Sequence, residues 1–97
     1  MAIRFTWDPK KAKRNLHDHG IEFEVAKHVF NDPHVVVIED VETEDELRYN
    51  AIGYAAANLF VVVTYLDLSE EEEEVIRLIS ARKGDAFEES VYADQFA

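Results

Sequence analysis

The feature that most constrains the fold is an unbroken apolar run near the middle of the chain, NLFVVVTYLDL at residues 58–68. A strand with one face in water alternates apolar and polar side chains, whereas a strand buried on both faces is apolar throughout. The run is also far too short to cross a bilayer as a helix, which takes about 20 apolar residues. It therefore predicts the central strand of a sheet that is covered on both sides.

Other segments supply neighbours for this strand. Runs rich in β-forming residues predict further strands, and capped or amphipathic segments predict helices. The strands are expected at 3–7, 34–40, 47–55 and 75–83, and the helices at 8–19, 22–31 and from 85 onward. The resulting order, β-α-α-β-β-β-β-α, predicts an α+β fold: a mainly antiparallel sheet with two N-terminal helices and one C-terminal helix. A chain of 97 residues suits a single domain spanning 1–97.

Local signals mark the helix ends. Asp8 before Pro9 is an N-cap followed by proline at the first helical position. Gly20 is the expected C-terminal stop, and Asp85 with Glu88 has the spacing of a capping box. The residues expected to face the core are Ala12, Leu16 and His19 on the first helix, Val25, Ala26, Val29 and Phe30 on the second, and Phe87, Val91 and Phe96 on the last.

The charge and composition exclude several functions. The chain has 21 Asp and Glu against 10 Lys and Arg, a net charge of −11. General attraction to nucleic acid or to an anionic membrane is therefore unfavourable, although screening over about 10 Å leaves room for a local basic cleft. No cysteine is present, which excludes disulfides and cysteine-based metal sites. The first residues lack the apolar run of a signal peptide, so a soluble cytoplasmic protein without membrane association is expected.

Positive charge is concentrated in VIRLISARK, residues 75–83, after a glutamate run at 70–74 that is expected to be a solvated turn. On a regular strand Arg77 and Lys83 share one face, and Arg82 lies on the other, near the strand end, where a bulge or the turn at Gly84 could re-aim it. A planar guanidinium binds phosphate in a bidentate fork, which suits phosphoryl chemistry. The alternative is that these arginines pair with the many nearby carboxylates.

Arg48, on the preceding alternating strand, shares a face with Glu46 and Asn50. It either forms an ordinary cross-strand ion pair or joins Arg77 on one face of the sheet, and the sequence leaves both arrangements open.

His19 is the first candidate for acid–base chemistry, because histidine is the natural proton acceptor and donor near neutral pH. The alternative is that it caps the carbonyls at the end of its helix. His17 and His19 lack the i, i+4 spacing of a helical metal pair, so no metal site is expected. Tyr92 and Glu88, on one face of the last helix, are further acid–base candidates.

Three motifs, taken in order, resemble the BrnT family of bacterial type II toxins. The first is FTWDPKKAKRNLHDHGIEFEVAKHVFNDP, whose matching residues are Trp7, Asp8, Lys11, Asn15, His19, Gly20, Phe30, Asp32 and Pro33. The second is ELRYNAIGY, with Glu46 and Arg48, and the third is RLISARKGDAFEESVY, which begins at Arg77. The resemblance covers about residues 3 to 92.

The resemblance implies a ribonuclease-like fold related to the RelE toxins, and RNA cleavage that needs no metal or other cofactor and arrests translation. It also implies a partner, a BrnA-like antitoxin with a ribbon-helix-helix DNA-binding part, in a complex that is a homodimer or a heterotetramer with antitoxin. The family's functional positions fall here on His19, Glu46, Arg48, Arg77, Arg82 and Tyr92, with Lys11, Arg77, Arg82 and Lys83 as RNA contacts. In the expected mechanism, His19 or Glu46 is the base, the arginines stabilise the phosphorane, and Tyr92 or Lys83 protonates the leaving oxygen.

A second function is compatible with the same motifs. Asp18 stands where the family usually has a basic residue, and the last helix, DAFEESVYADQFA, is acidic where it is usually basic. Each Lys or Arg contact to phosphate strengthens RNA binding. An acidic member of the family could therefore retain the fold and the antitoxin surface as a non-catalytic interaction module.

Overall fold

A computed structural model describes residues 2–40 and 46–97 of the chain. The first strand, β1 (Ile3–Thr6), leads into helix α1 (Pro9–His19), and a short helix, α2 (Phe23–Ala26), continues as a 3-10 turn over Lys27–Asn31. The remaining strands are β2 (Val36–Asp40), β3 (Arg48–Ala56), β4 (Leu59–Asp67) and β5 (Glu74–Lys83). Helix α3 (Ala86–Ala93) and a 3-10 turn (Asp94–Phe96) end the chain. The predicted α+β order of elements is confirmed.

The described strands form one sheet in the order β1-β5-β4-β3-β2. Strands β2 to β5 are an antiparallel meander, and β1 adds to β5 in parallel. The central position of β4 is confirmed, because Val61, Val62 and Val63 are each at most 2% exposed. A strand this buried on both faces must be apolar at every position, which is why the uninterrupted run occurs there.

The helices α1 and α2 cover one face of the sheet, which we call the helix-covered face. Its strand residues, Ala51, Val61, Val63, Tyr65, Ile76, Leu78 and Ala81, pack with Ile21, Phe23, Ala26 and Val29. The expected stripe on α2 was partly wrong, since Val25 is 37% exposed and Phe23 is 2% exposed. The reason is that the helix tightens into a 3-10 turn, where side chains eclipse every three residues rather than at i and i+4.

The predicted helix caps are confirmed. The Asp8 side chain accepts a hydrogen bond from the backbone N–H of Lys10, and Gly20 adopts φ 71° to end α1. At the start of α3, Asp85 and Glu88 form the full capping box, each side chain accepting from the other residue's backbone N–H.

The buried residue of α1 is Asn15 rather than the expected apolar stripe. Leu16 is 43% exposed, and His19 is exposed as well. Pairing of β1 with β5 ends at Arg77, so the outer edge of β5 beyond that point needs other hydrogen-bond partners. The Asn15 amide supplies them: Nδ2 donates to the Ala81 carbonyl at 2.9 Å, and Oδ1 accepts from the Ala81 N–H at 3.0 Å.

An extra residue in β5 changes which side chains share a face. The register pairs Thr64 with Ser80 but Tyr65 with Leu78, so Ile79 is a β-bulge. Beyond the bulge the alternation shifts by one, and the prediction that Arg77 and Arg82 lie on opposite faces was wrong. Both lie opposite the helix-covered face, on what we call the second face. Lys83, paired with Val61, lies on the helix-covered face.

The acidic hairpin and the last helix account for the remaining expectations. The glutamate run at 70–74 is exposed and closes a tight turn between β4 and β5, as predicted. None of the described residues of α3 is buried, and Phe87 is 70% exposed. The expected docking of Phe87 on the sheet was therefore wrong, and Phe96 is also 58% exposed although its ring contacts Tyr92.

Candidate functional site

A row of polar side chains crosses the second face at its centre. Asn50 of β3, Thr64 of β4 and Ser80 of β5 are register neighbours, and the Thr64 hydroxyl donates to Asn50 Oδ1 at 2.7 Å. Arg77 and Arg82 flank Ser80 along β5 on this face. The bulge thus places Ser80, the β5 member of the polar row, between two arginine side chains on the same face. A strand with regular alternation would have put the two arginines on opposite faces.

Arg82 already has a carboxylate partner. Its Nη1 and Nη2 atoms donate to the two carboxylate oxygens of Glu88, both at 2.8 Å. These hydrogen bonds from Arg82 are the largest cause that lowers the pKa of Glu88 from the ordinary 4.5 to about 2, and a hydrogen bond from the Asp85 N–H lowers it further. For this arginine the structure has the carboxylate pairing that the sequence left open as the alternative.

Arg48 lies on the second face too and is also paired with a carboxylate. Its Nε and Nη2 atoms both donate to Oε1 of Glu46, at 3.0 and 2.6 Å. The Arg48 side chain is 25% exposed and the Glu46 side chain 44% exposed. The two predicted catalytic residues are therefore neighbours, and each neutralises the charge of the other.

Arg77 differs from the other two arginines of this face. It is partly buried, and within residues 2–40 and 46–97 it forms no ion pair and no side-chain hydrogen bond. A guanidinium carries donors in a fixed fork and is always charged. In the described part of the chain, Arg77 is the second-face arginine whose donors are available to a bound anion.

A small cleft joins α1 to the outer edge of β5. It has a volume of about 180 Å³ and is lined by Lys11, Arg14, Asn15, Asp18, His19, Ile79 and Ser80. The cleft brings the predicted residues Lys11 and His19 together beside Ser80 at the outer edge of β5, and Arg77 is not among its lining residues. The bulge residue Ile79 and the buried Asn15 also line it.

Asp18, at the rim of this cleft, holds basic side chains of α1. Its carboxylate lies 3.1 Å from His17 Nδ1 and 3.5 Å from Arg14 Nε. The hydrogen bond from His17, followed by the charge of Arg14, lowers the pKa of Asp18 despite some desolvation. Asp18 therefore stays charged and reduces the positive potential of the cleft.

Tyr92 lies apart from the cleft, at the end of the sheet formed by the β3–β4 hairpin. Its hydroxyl donates to Asp32 Oδ2 at 2.8 Å, and its ring packs edge-on against Tyr54 and Phe60. Burial and the Asp32 hydrogen bond raise the pKa of Tyr92 to about 12. This contact fastens α3 to the sheet, and the structure does not bring Tyr92 together with Arg77 and His19.

The Asp32 carboxylate accepts hydrogen bonds from three residues near the β3–β4 hairpin: Tyr54, His34 and Tyr92. Burial alone would raise its pKa, but hydrogen bonds from the N–H groups of Tyr54 and His34 and from Tyr92 outweigh burial and lower it. Gly53 is required beside it, because a Cβ there would lie 2.8 Å from Asp32 Oδ2. The Asp-Pro pair that ends the second predicted helix was the sequence signal for this residue.

In the described ranges, 2–40 and 46–97, no three His, Cys, Asp or Glu side chains lie close enough together to hold a metal ion. A separate search of the same ranges finds no helix long and apolar enough to cross a membrane.

Comparison with known proteins identifies the family. Residues 7–88 match the family model described as the ribonuclease toxin, BrnT, of a type II toxin–antitoxin system. Among solved structures, the chain is similar to the Brucella abortus ribonuclease toxin, BrnT, with a TM-score of 0.65 and 21% identity, over 87% of this chain and 99% of that one. No curated protein sequence matches the chain. Because the family model covers most of the chain, from Trp7 in the turn after β1 to Glu88 in α3, the chain belongs to the BrnT family of ribonuclease toxins of type II toxin–antitoxin systems.

Proposed function

We propose that this chain is an endoribonuclease that cleaves RNA without a metal ion, arrests translation in the cytoplasm, and is neutralised by a BrnA-like ribbon-helix-helix antitoxin. The observation that carries the proposal is Arg77. It is a partly buried guanidinium with no carboxylate partner in the described part of the chain, and it shares a face of β5 with Ser80, which lines the cleft that holds His19 and Lys11. An arginine with free donors in an acidic protein is suited to bind an external anion.

The chemistry assigned to this cleft is transfer of the phosphoryl group to the neighbouring 2′-oxygen. His19 in its neutral form accepts the proton of the ribose 2′-hydroxyl, and the 2′-oxygen forms a bond to phosphorus. The bond from phosphorus to the 5′-oxygen breaks, and that oxygen takes a proton from Lys11 or from water. Arg77 stabilises the charge that develops on the phosphorane oxygens, where an arginine fork is most effective.

Other predicted residues have a different place in this proposal. Glu46 is a poorer base than His19, because its Oε1 atom accepts both hydrogen bonds from Arg48. The Tyr92 hydroxyl donates a hydrogen bond to Asp32, and Tyr92 lies at another end of the sheet. Lys83 is exposed at the end of β5 and is not among the residues that line the cleft, so its role in this proposal is RNA binding.

The decisive experiment is the substitution Arg77→Lys, assayed for cleavage of a single-stranded RNA with and without EDTA. Lysine keeps the charge but loses the bidentate fork, so we expect a loss of about 10²–10³ in rate, little change in melting temperature and no effect of EDTA. Arg4→Lys is the matched control, because Arg4 is an exposed arginine on β1 whose Nε pairs with Glu73 at 2.6 Å. Unchanged cleavage by Arg77→Lys, with an active wild type, rejects the proposal.

A non-catalytic interaction module is the second candidate, and a specific observation favours it. Arg48 and Arg82 are both neutralised by carboxylates, in a molecule of net charge −11. In that case the purified chain cleaves no RNA, and expression without its genomic neighbour leaves growth normal. The antitoxin complex forms under both functions.

The antitoxin partner is expected to present a basic segment to this acidic chain, over an interface of more than about 1,200 Å² in total. Co-expression with the neighbouring gene, followed by light scattering, tests the complex and separates a homodimer from a heterotetramer. Elution of this chain as a free monomer from that co-expression contradicts the partner.

A further inference from the structure

The Arg82–Glu88 contact has the geometry of a bound phosphate. The nitrogens Nη1 and Nη2 face the two oxygens at 2.8 Å each, the end-on bidentate arrangement that Arg forms with carboxylates and phosphates alike. While Glu88 is bound, this end-on fork of Arg82 is not available to another anion. The third contact of this side chain, from Nη1 to the Lys83 carbonyl at 3.3 Å, engages a nitrogen that Glu88 already holds.

Glu88 is held in place by its own helix. Its backbone N–H donates to Asp85 Oδ1 at 2.9 Å, and its Oε1 atom accepts from the Asp85 N–H at 2.8 Å. The Glu88 side chain is only 14% exposed, whereas the Arg82 side chain is 43% exposed. The acid is thus pre-positioned by the first turn of α3, and the arginine remains reachable from solvent.

We propose that Glu88 is an internal competitor for the substrate phosphate, so that it sets the affinity of the second face for anions by occupying Arg82. This inference rests on the proposed function for its biological meaning, since RNA would be the anion that displaces Glu88. Arg77 is the permanent anion contact of the face, and Arg82 becomes a second contact once Glu88 is displaced.

Competition, rather than protonation, has to open this contact. The pKa of Glu88 is about 2, so the carboxylate is charged throughout the physiological range of pH. The apparent affinity of a ligand that needs Arg82 is reduced in proportion to the fraction of molecules in which Arg82 is free. For a partly exposed ion pair this corresponds to a factor of about 1.5 to 5.

The test is a titration of the full chain with inorganic phosphate, observed at the Nη resonances of Arg82, the two nitrogens that Glu88 holds. We expect these resonances in Glu88→Gln to respond at about 1.5- to 5-fold lower phosphate concentration than in the wild type. Glutamine retains a side-chain oxygen that accepts from the Asp85 N–H, so the capping box survives. Glu89→Gln is the matched control: it removes the same charge from an exposed neighbour on α3, and we expect it to behave as the wild type.

An equal response in all three proteins overturns the inference, and so does the absence of a response in all of them. If Glu88→Gln does not fold, Glu88→Asp replaces it, because a side chain shorter by one methylene no longer reaches the fork of Arg82. The outcome is independent of catalysis. Phosphate binding at Arg82 does not need RNA cleavage, and the Arg77→Lys assay does not need the Glu88 contact, so the two proposals can fail separately.

Discussion

Replacing Asn15 with alanine should cost this protein a large part of its stability. The Asn15 side chain is 5% exposed and makes three hydrogen bonds with backbone groups: it donates to the carbonyls of Ile21 and Ala81 and accepts from the Ala81 N–H. Ala81 is 0% exposed and Ile21 3% exposed, so water does not reach these groups in the native structure.

The magnitude follows from what the substitution leaves unpaired. Each buried backbone group that loses its partner costs about 1–3 kcal/mol, so the three groups together cost at least about 3 kcal/mol. Alanine regains about 0.6 kcal/mol because it is the better helix former in α1. We therefore expect a net loss of at least about 2 kcal/mol, out of a total stability of about 5–15 kcal/mol. For a domain of this size the melting temperature falls by at least about 10 °C.

Urea denaturation followed by circular dichroism measures this loss. The control is Arg14→Ala on the preceding residue of α1, whose side chain is 84% exposed and lies 3.5 Å from Asp18. An exposed pair of this kind contributes little, so we expect a change within about 0.5 kcal/mol. A loss below about 1 kcal/mol for Asn15→Ala would refute the reasoning, because the edge of β5 would then be satisfied without the Asn15 amide.

Three further outcomes are expected. Because the pKa of Glu88 is lowered to about 2, its carboxylate stabilises the fold above pH 4.5 and loses that effect as pH falls towards 2. The melting temperatures of wild type and Glu88→Gln should therefore differ at pH 6 and converge near pH 2. A difference that stays constant with pH would contradict this. Gly53→Ala forces a Cβ to within 2.8 Å of Asp32 Oδ2 and should cost about 1–3 kcal/mol in urea denaturation, with no measurable cost as the contrary result. Phe87→Ser removes a ring that is 70% exposed and should change stability by less than about 0.5 kcal/mol, whereas a larger loss would mean that α3 packs through this ring.

The parts of the fold that depend on short stretches of sequence were predictable. The Asp85–Glu88 capping box and the left-handed Gly20 need only a few neighbouring residues, and both are present where they were expected. The run through Val61, Val62 and Val63 was equally informative, since only a doubly covered strand needs apolar side chains at every position.

The arrangement of the candidate site was not predictable in the same way, because it depends on contacts between distant residues. The bulge at Ile79 is defined only by the pairing of β4 with β5, and no local signal in β5 marks it. A one-residue shift changes the face of every later side chain, which is why Arg82 was assigned to the wrong face. The two paired arginines were indistinguishable from Arg77 for a similar reason, since the sequence contains many carboxylates and does not specify which one approaches which arginine.

The pairing of β1 with β5 has a consequence for the order in which the candidate site forms during synthesis. Ile3 pairs with Glu74, and Asn15 in α1 bonds to Ala81, so elements made early by the ribosome find their partners only in elements made much later. Pairings so distant in sequence form late, after the loop between them has closed. The cleft that holds Lys11 and His19 is also lined by Ile79 and Ser80, so it is incomplete on a chain that stops before β5. An interrupted message therefore yields fragments in which Lys11 and His19 have no cleft.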